Sequence, residues 1–126
     1  MYKIIIVGLI LLNGCGFAYE KKIKDNYYLI GVDSKDAISI RYRLSNGDYV
    51  GRIPESVLEY YTNDTLIIAK TENEKKETLY YIFKTSNDSE YADYTKMGLL
   101  QGPFTKPVFD SILSKRNLSL IEFKKV

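Results

Sequence analysis

Alternating apolar and polar residues mark the clearest strand of the chain. From Ile38 to Ser45 the alternation is strict, which is the period of a half-buried strand. Asn46-Gly47 follows directly and is a preferred pair for a two-residue type I′ turn, since both positions take positive φ. The pattern predicts a hairpin over residues 38–53. With Ser45 opposite Asp48, the pairs expected to share one buried face are Leu44 with Tyr49, Tyr42 with Gly51, and Ile40 with Ile53.

Shorter apolar runs on both sides of the hairpin predict further strands. They cover residues 27–32, 57–61, 66–69 and 79–83, and a last strand is expected within residues 118–126. Pro54 interrupts the ladder after the hairpin, so we expect the chain to bend there. Asn63-Asp64 and Gly102-Pro103 have the composition of turns.

A single helix is predicted near the C-terminus. Thr105 is a suitable N-cap, and Pro107 fits the first turn. An apolar stripe at helical spacing follows, formed by Val108, Phe109, Ile112 and Leu113. Asn117 is suited to ending the helix in the left-handed conformation. The predicted fold class is α+β: an antiparallel meander of about five to six strands with this helix packed on one face.

Composition excludes several functional classes. The chain has 126 residues, enough for one domain, and a net charge of +2, too small to indicate nucleic-acid binding. It contains no histidine and one cysteine, which removes the commonest general base and any disulfide within the chain. We therefore expect no catalytic residue, metal or cofactor. A hydrolase built on two carboxylates stays a third alternative, but nothing in the sequence marks such a pair, since the helical spacing of Glu55 and Glu59 is common among carboxylates.

The N-terminus has the features of an export signal. Lys3 precedes an apolar run from Ile4 to Leu12, which is too short to span a bilayer. Leu12-Asn13-Gly14-Cys15 resembles the bacterial lipobox, and this resemblance implies cleavage before Cys15 and its acylation, for example with palmitate. The expected organisation is a signal peptide at residues 1–14, a polar tether at 15–25 and one domain at 26–126.

Three arginines form the candidate binding surface. Arg41, Arg43 and Arg52 fall on the polar face of the predicted hairpin, and guanidinium groups bind carboxylates and phosphates bidentately. The alternative is a solvated face with carboxylates nearby. The tyrosine pairs at 27–28, 60–61 and 80–81 put one ring on each side of a strand, which serves either a glycan or protein surface or an amphipathic sheet.

The chain resembles small bacterial lipoproteins of unknown function. The resemblance lies in the lipobox cysteine, the Tyr28-Leu29-Ile30 strand and the Gly102-Pro103-Phe104 turn leading into Phe109. It implies a lipid-anchored place in the cell envelope, facing the periplasm or the outside, and nothing beyond this location, because these lipoproteins have no assigned activity. The leading hypothesis is a non-enzymatic binding module for an acidic protein or a glycan. The alternative is a protective inhibitor, an immunity lipoprotein against a toxin or cell-wall hydrolase.

Overall fold

The computed structural model describes residues 18–33, 36–118 and 120–126. In this part of the chain there are nine strands and one helix. The elements in chain order are β1 (Tyr19–Lys24), β2 (Tyr27–Gly31), β3 (Ile38–Arg43), β4 (Tyr49–Ile53), β5 (Val57–Thr62), β6 (Leu66–Glu72), β7 (Thr78–Lys84), β8 (Leu100–Phe104), α1 (Lys106–Lys115) and β9 (Lys124–Lys125).

The strands form two antiparallel sheets. One has the order β1-β2-β3-β4 and the other the order β8-β7-β6-β5-β9. The α+β class is confirmed, whereas the single meander is wrong. The chain leaves the first sheet at Ile53 and begins the second at Val57, so the bend expected at Pro54 separates two sheets.

Two apolar clusters bind the layers together. The first combines Leu29 and Ile40 of the first sheet with Ile67 and Phe83 of the second. The second lies on the other face of the second sheet, where Ile68, Tyr80 and Ile82 pack against Phe109 and Leu113 of α1. The second sheet is therefore the middle layer, between the first sheet and the helix. Its strands β6 and β7 are buried on both faces, as their apolar sequences indicate.

The β3–β4 hairpin differs from its predicted register. The amide of Gly47 donates to the carbonyl of Leu44 at 3.0 Å, and the amide of Leu44 donates to the carbonyl of Asp48 at 2.7 Å. The loop therefore has three residues, and the two-residue type I′ turn is wrong. Gly47 does have the expected positive φ, +93°, whereas Asn46 does not share it. A loop of this length is the next commonest hairpin connection, again with glycine in the positive-φ position.

The longer loop shifts the register, and a bulge then restores it. Tyr42 pairs with Val50 and Arg41 with Gly51, one residue away from the prediction, yet Ile40 pairs with Ile53 as predicted. Arg52 is the extra residue of the bulge. A bulge re-aims the side chains of its strand, and this one decides where Arg52 points.

The segment predicted as a polar tether contributes an edge strand. Strand β1 pairs with β2, and Tyr19 and Ile23 pack against the first apolar cluster. The Nζ atom of Lys24 donates to the carbonyls of Asn63 and Asp64 at 2.7 and 2.6 Å. The tether prediction is therefore wrong for residues 19–24, because two apolar side chains among the charges suffice to dock the strand.

The helix is confirmed, with one correction to its stripe. Phe109 and Leu113 are buried, and Ile112 is partly buried. Val108, predicted as buried, is 49% exposed, because the contact follows the i, i+4 row and Val108 lies one residue off it. Asn117 has φ +58° after the helix, as expected. Of the last predicted strand only Lys124–Lys125 forms, pairing with β5.

Candidate functional site

Arg52 lies inside the protein, not on the hairpin's exposed face. It is 4% exposed, because the bulge turns its side chain and that of Ile53 toward the interior. The prediction that Arg41, Arg43 and Arg52 form one exposed cluster is therefore wrong. The structure separates them into a buried arginine, a half-buried one and an exposed one.

The partner of Arg52 is Asp88, in the irregular segment between β7 and β8. Nε of Arg52 donates to Oδ2 of Asp88 at 2.8 Å, and an Nη atom donates to Oδ1 at 3.1 Å. The two side chains are 3% and 0% exposed. The Arg52 guanidinium also donates to the carbonyls of Gly51 and Ser89. A bidentate, fully hydrogen-bonded pair is the geometry in which buried opposite charges are tolerated.

Aromatic rings enclose this ion pair. The guanidinium carbon of Arg52 is 5.2 Å from the ring centre of Tyr42 and 4.7 Å from that of Tyr94, within the range of cation–π attraction. Tyr27 donates its hydroxyl to Oδ2 of Asp88 at 2.6 Å. Burial raises the pKa of Tyr27 far above its ordinary value, and the hydrogen bond to Asp88 raises it further. We name Tyr27, Tyr42, Arg52, Asp88 and Tyr94 the buried charge cluster.

The opposite charges of the buried charge cluster pair with each other, so the cluster serves to hold the fold together. Both oxygens of Asp88 are occupied, since Oδ1 also accepts the amide of Ser89 at 3.0 Å. The carboxylate therefore has no free direction from which to take a proton from a substrate. The cluster ties the segment 85–99 to β4, and it fixes the wall of a neighbouring groove.

This groove lies between the edge strand β4 and the start of β8. Its volume is about 540 Å³, and we name it the Arg41 groove. Nine residues line it: Ser39, Arg41, Gly51, Arg52, Ile53, Pro54, Glu55, Tyr94 and Leu100. Apolar atoms make up most of its surface. The groove joins two of the three predicted binding arginines, Arg41 at its surface and Arg52 in its wall.

Arg41 is the half-buried cation of the groove. Its Nε donates to Oγ of Ser39 at 2.9 Å, and Ser39 is itself 7% exposed. Within residues 18–33, 36–118 and 120–126, no carboxylate lies within 4 Å of Arg41 and its Nη atoms make no hydrogen bond. The charge of Arg52 is neutralised by Asp88, whereas that of Arg41 faces the groove.

Arg43 belongs to a different surface. It lies 6.0 Å from the ring centre of Tyr28, and Tyr28 packs edge-to-face on Tyr49 at 5.3 Å. Tyr49 donates its hydroxyl to Glu20 of β1. Burial raises the pKa of Tyr49 to about 12, assisted by the bond to Glu20. Outward tyrosines thus pack across strands of the first sheet, as the amphipathic-sheet alternative expects.

Sequence reasoning missed Asp88, Ser89 and Tyr94. The polar stretch around Asp88 is typical of a turn, and Asp88 lies 36 residues from Arg52. No local period connects two positions so far apart, and the one local hint of the bulge is Gly51 directly before Arg52, since an isolated glycine in a strand pattern often marks a bulge. Cys15, the predicted lipidation residue, lies outside the described residues.

Other site classes receive no support from the described ranges. Those residues contain no cluster of three or more histidine, cysteine or acidic side chains arranged to hold a metal. The helix there is too short and too polar to cross a membrane. Comparison of the chain with protein-family models, curated proteins and solved structures gave no match.

Proposed function

We propose that this chain is a membrane-anchored lipoprotein of the bacterial cell envelope and that its folded domain is a non-enzymatic binding module. The lipobox-like Leu12-Asn13-Gly14-Cys15 supports the anchor, because several acyl chains on one cysteine hold a protein stably in a bilayer. The Arg41 groove is the observation that carries the binding role.

The groove supports binding because it combines three features of a ligand site. It is concave, it is mostly apolar, and it contains the Arg41 guanidinium, whose Nη atoms make no hydrogen bond within the described chain. The guanidinium of Arg41 is oriented by Ser39 from a buried position. A partner with a negative group would complete its hydrogen bonds without any rearrangement of the groove.

Crosslinking in intact cells tests the binding role. Wild type should capture a partner, and Arg41→Gln should lose it while folding normally. Arg43→Gln is the matched control, because it removes the same charge from the same strand outside the groove, and it should retain the partner. A partner that is captured equally by Arg41→Gln at every salt concentration would overturn this role for the groove.

Metabolic labelling with a fatty-acid analogue tests the anchor separately. Wild type should be labelled and found in the membrane fraction, whereas Cys15→Ser should be neither. Equal labelling of both chains would contradict the lipoprotein assignment.

A further inference from the structure

The composition of the Arg41 groove also indicates what kind of anion it takes. Two arginines line the groove, but only Arg41 can attract an anion, because the charge of Arg52 is neutralised by Asp88. The carboxylate of Glu55 lies in the same lining, and no salt bridge engages it within the described ranges. A ligand with two negative charges would be repelled by Glu55. A group with a single negative charge matches the single positive charge of Arg41. A carboxylate also matches the planar guanidinium in geometry, since it can accept two parallel hydrogen bonds.

The remaining lining selects the body of the ligand. Pro54, Leu100 and the ring of Tyr94 offer apolar contact beside Arg41, whereas Ile53 is only 1% exposed. Gly51 leaves the floor open, because a Cβ built there would meet no atom within 4 Å. The volume of about 540 Å³ lies within the range of small-ligand pockets, roughly 300–1,000 Å³.

We infer that the Arg41 groove binds an apolar body carrying one carboxylate, supplied either by a small organic acid or by the free C-terminus of a peptide that ends in an apolar residue. The carboxylate pairs with the Nη atoms of Arg41. The apolar body lies over Leu100, between Pro54 and Tyr94. This inference rests on the proposed binding role of the groove and specifies its ligand class.

Saturation-transfer NMR on the full chain in lipid nanodiscs tests the ligand class. The small-acid probe is 3-phenylpropionate, its neutral control is 3-phenylpropanamide, and its doubly charged control is phenyl phosphate. The peptide probe is N-acetyl-Gly-Gly-Phe with a free carboxylate, compared with its C-terminal amide. For ligands of this size we expect a dissociation constant on the order of 1 mM for the carboxylates.

Removal of the carboxylate should weaken binding at least about tenfold, because a bidentate charge-assisted pair is lost. Phenyl phosphate should bind more weakly than 3-phenylpropionate. If only the peptide binds with this dependence on its free carboxylate, the source is a chain terminus. If only the small acid does, the source is a metabolite. Either result supports the inference.

Variants of the groove locate the site. Arg41→Gln should weaken carboxylate binding about tenfold, and Gly51→Leu should abolish it by filling the floor, while Arg43→Gln should leave it unchanged. The inference is overturned if amides bind as well as acids, if Arg43→Gln matters as much as Arg41→Gln, or if no saturable signal appears at roughly twentyfold the expected constant. If the carboxylate probes do not bind but Arg41→Gln still loses its crosslinked partner, the inferred ligand class is wrong and the proposed binding role of the groove is retained.

Discussion

Arg52 and Arg41 show how two residues of one type on neighbouring strands acquire different roles. Arg52 is enclosed by Tyr42 and Tyr94 and held by Asp88, so its charge serves the fold. Arg41 is half-buried, held at Nε by Ser39, and faces a groove. The difference arises from a single extra residue in β4, because an alternating strand without a bulge would have placed both arginines on the same face.

Arg52→Ala should destabilise the protein by about 3–5 kcal/mol, because it leaves the carboxylate of Asp88 buried without a counter-ion. Urea unfolding of the variant measures this loss. Arg43→Ala is the matched control and should leave the free energy of unfolding essentially unchanged, since Arg43 lies exposed on the other face. An equal effect of both substitutions would show that the ion pair is not the cause.

Tyr49 should make stability depend on alkaline pH. Its folded-state pKa is raised to about 12 by burial and by the bond to Glu20, whereas a tyrosine in the unfolded chain has a pKa of about 10. Folding therefore favours the protonated phenol. The stabilisation is complete below about pH 10 and is lost as the pH rises toward about 12. Urea unfolding at stepped pH should show a steeper decline for wild type than for Tyr49→Phe over this window, and parallel curves would refute the assignment.

At the scale of elements, the sequence predicts the helix α1 and a glycine with positive φ in the hairpin loop, but the structure differs in which apolar residues of the helix are buried and in the length of the hairpin loop. The helix presents Phe109 and Leu113 to the second sheet, with the ring of Phe109 stacked 4.3 Å from that of Tyr80. Val108, of equal apolar character, faces solvent. The hairpin uses Gly47 for a positive φ, and Gly102 does the same in β8 with φ +117°.

The helix contact predicts unequal effects for two neighbouring residues. Phe109→Ala should cost roughly 3–5 kcal/mol of unfolding free energy, since it opens a cavity between helix and sheet. Val108→Ala should change it by less than about 0.5 kcal/mol, as for other surface substitutions. Thermal or urea unfolding of the two variants in parallel decides the matter. Comparable losses would mean that the helix is rotated from the orientation described.

Two of the three positive-φ glycines in the described residues, Gly47 and Gly102, are expected to differ in the cost of substitution by alanine. A Cβ at Gly47 would meet open space, so Gly47→Ala should cost about 1 kcal/mol for backbone strain alone. At Gly102 the added Cβ would lie 2.7 Å from the backbone carbonyl oxygen of Tyr80, and that oxygen belongs to the neighbouring strand β7. Gly102→Ala should therefore be clearly the more damaging variant in urea unfolding. The reverse order would contradict the approach of β8 to β7.

At the scale of the whole molecule, one buried ion pair connects elements that no hydrogen-bonded ladder joins. The segment 85–99 leaves β7 of the second sheet and contacts β4 of the first through Asp88 and Ser89. Ser45 of the hairpin loop adds a second link, since its hydroxyl donates to Oε1 of Glu90 at 2.7 Å. The segment thereby forms one wall of the Arg41 groove, so the shape of the groove depends on the contact of this segment with β4.

Asp88→Asn should release this segment while both sheets persist. Hydrogen exchange of the amides in residues 89–98 should accelerate relative to those of β6 and β7. Asp93→Asn is the matched control in the same segment, because within the described residues the carboxylate of Asp93 contacts only its near neighbours Thr95 and Lys96. Unchanged protection in Asp88→Asn would mean that the ion pair does not hold the segment.

The sequence by itself determined most local elements of this protein: strands β2 to β7 from their apolar periods, the bend at Pro54, the helix after Thr105, and the positive φ of Gly47 and Asn117. Each depends on residues within a few positions of one another. The turn predicted at Gly102-Pro103 is wrong, because both residues lie within β8. The tertiary structure alone decided the split into two sheets, the docking of β1 and the bulge at Arg52. It also decided the pairing of Arg52 with Asp88 across 36 residues. All four features depend on contacts between segments that are far apart in the chain. Burial of apolar surface and pairing of charges stabilise those contacts, and neither produces a periodic pattern in the sequence.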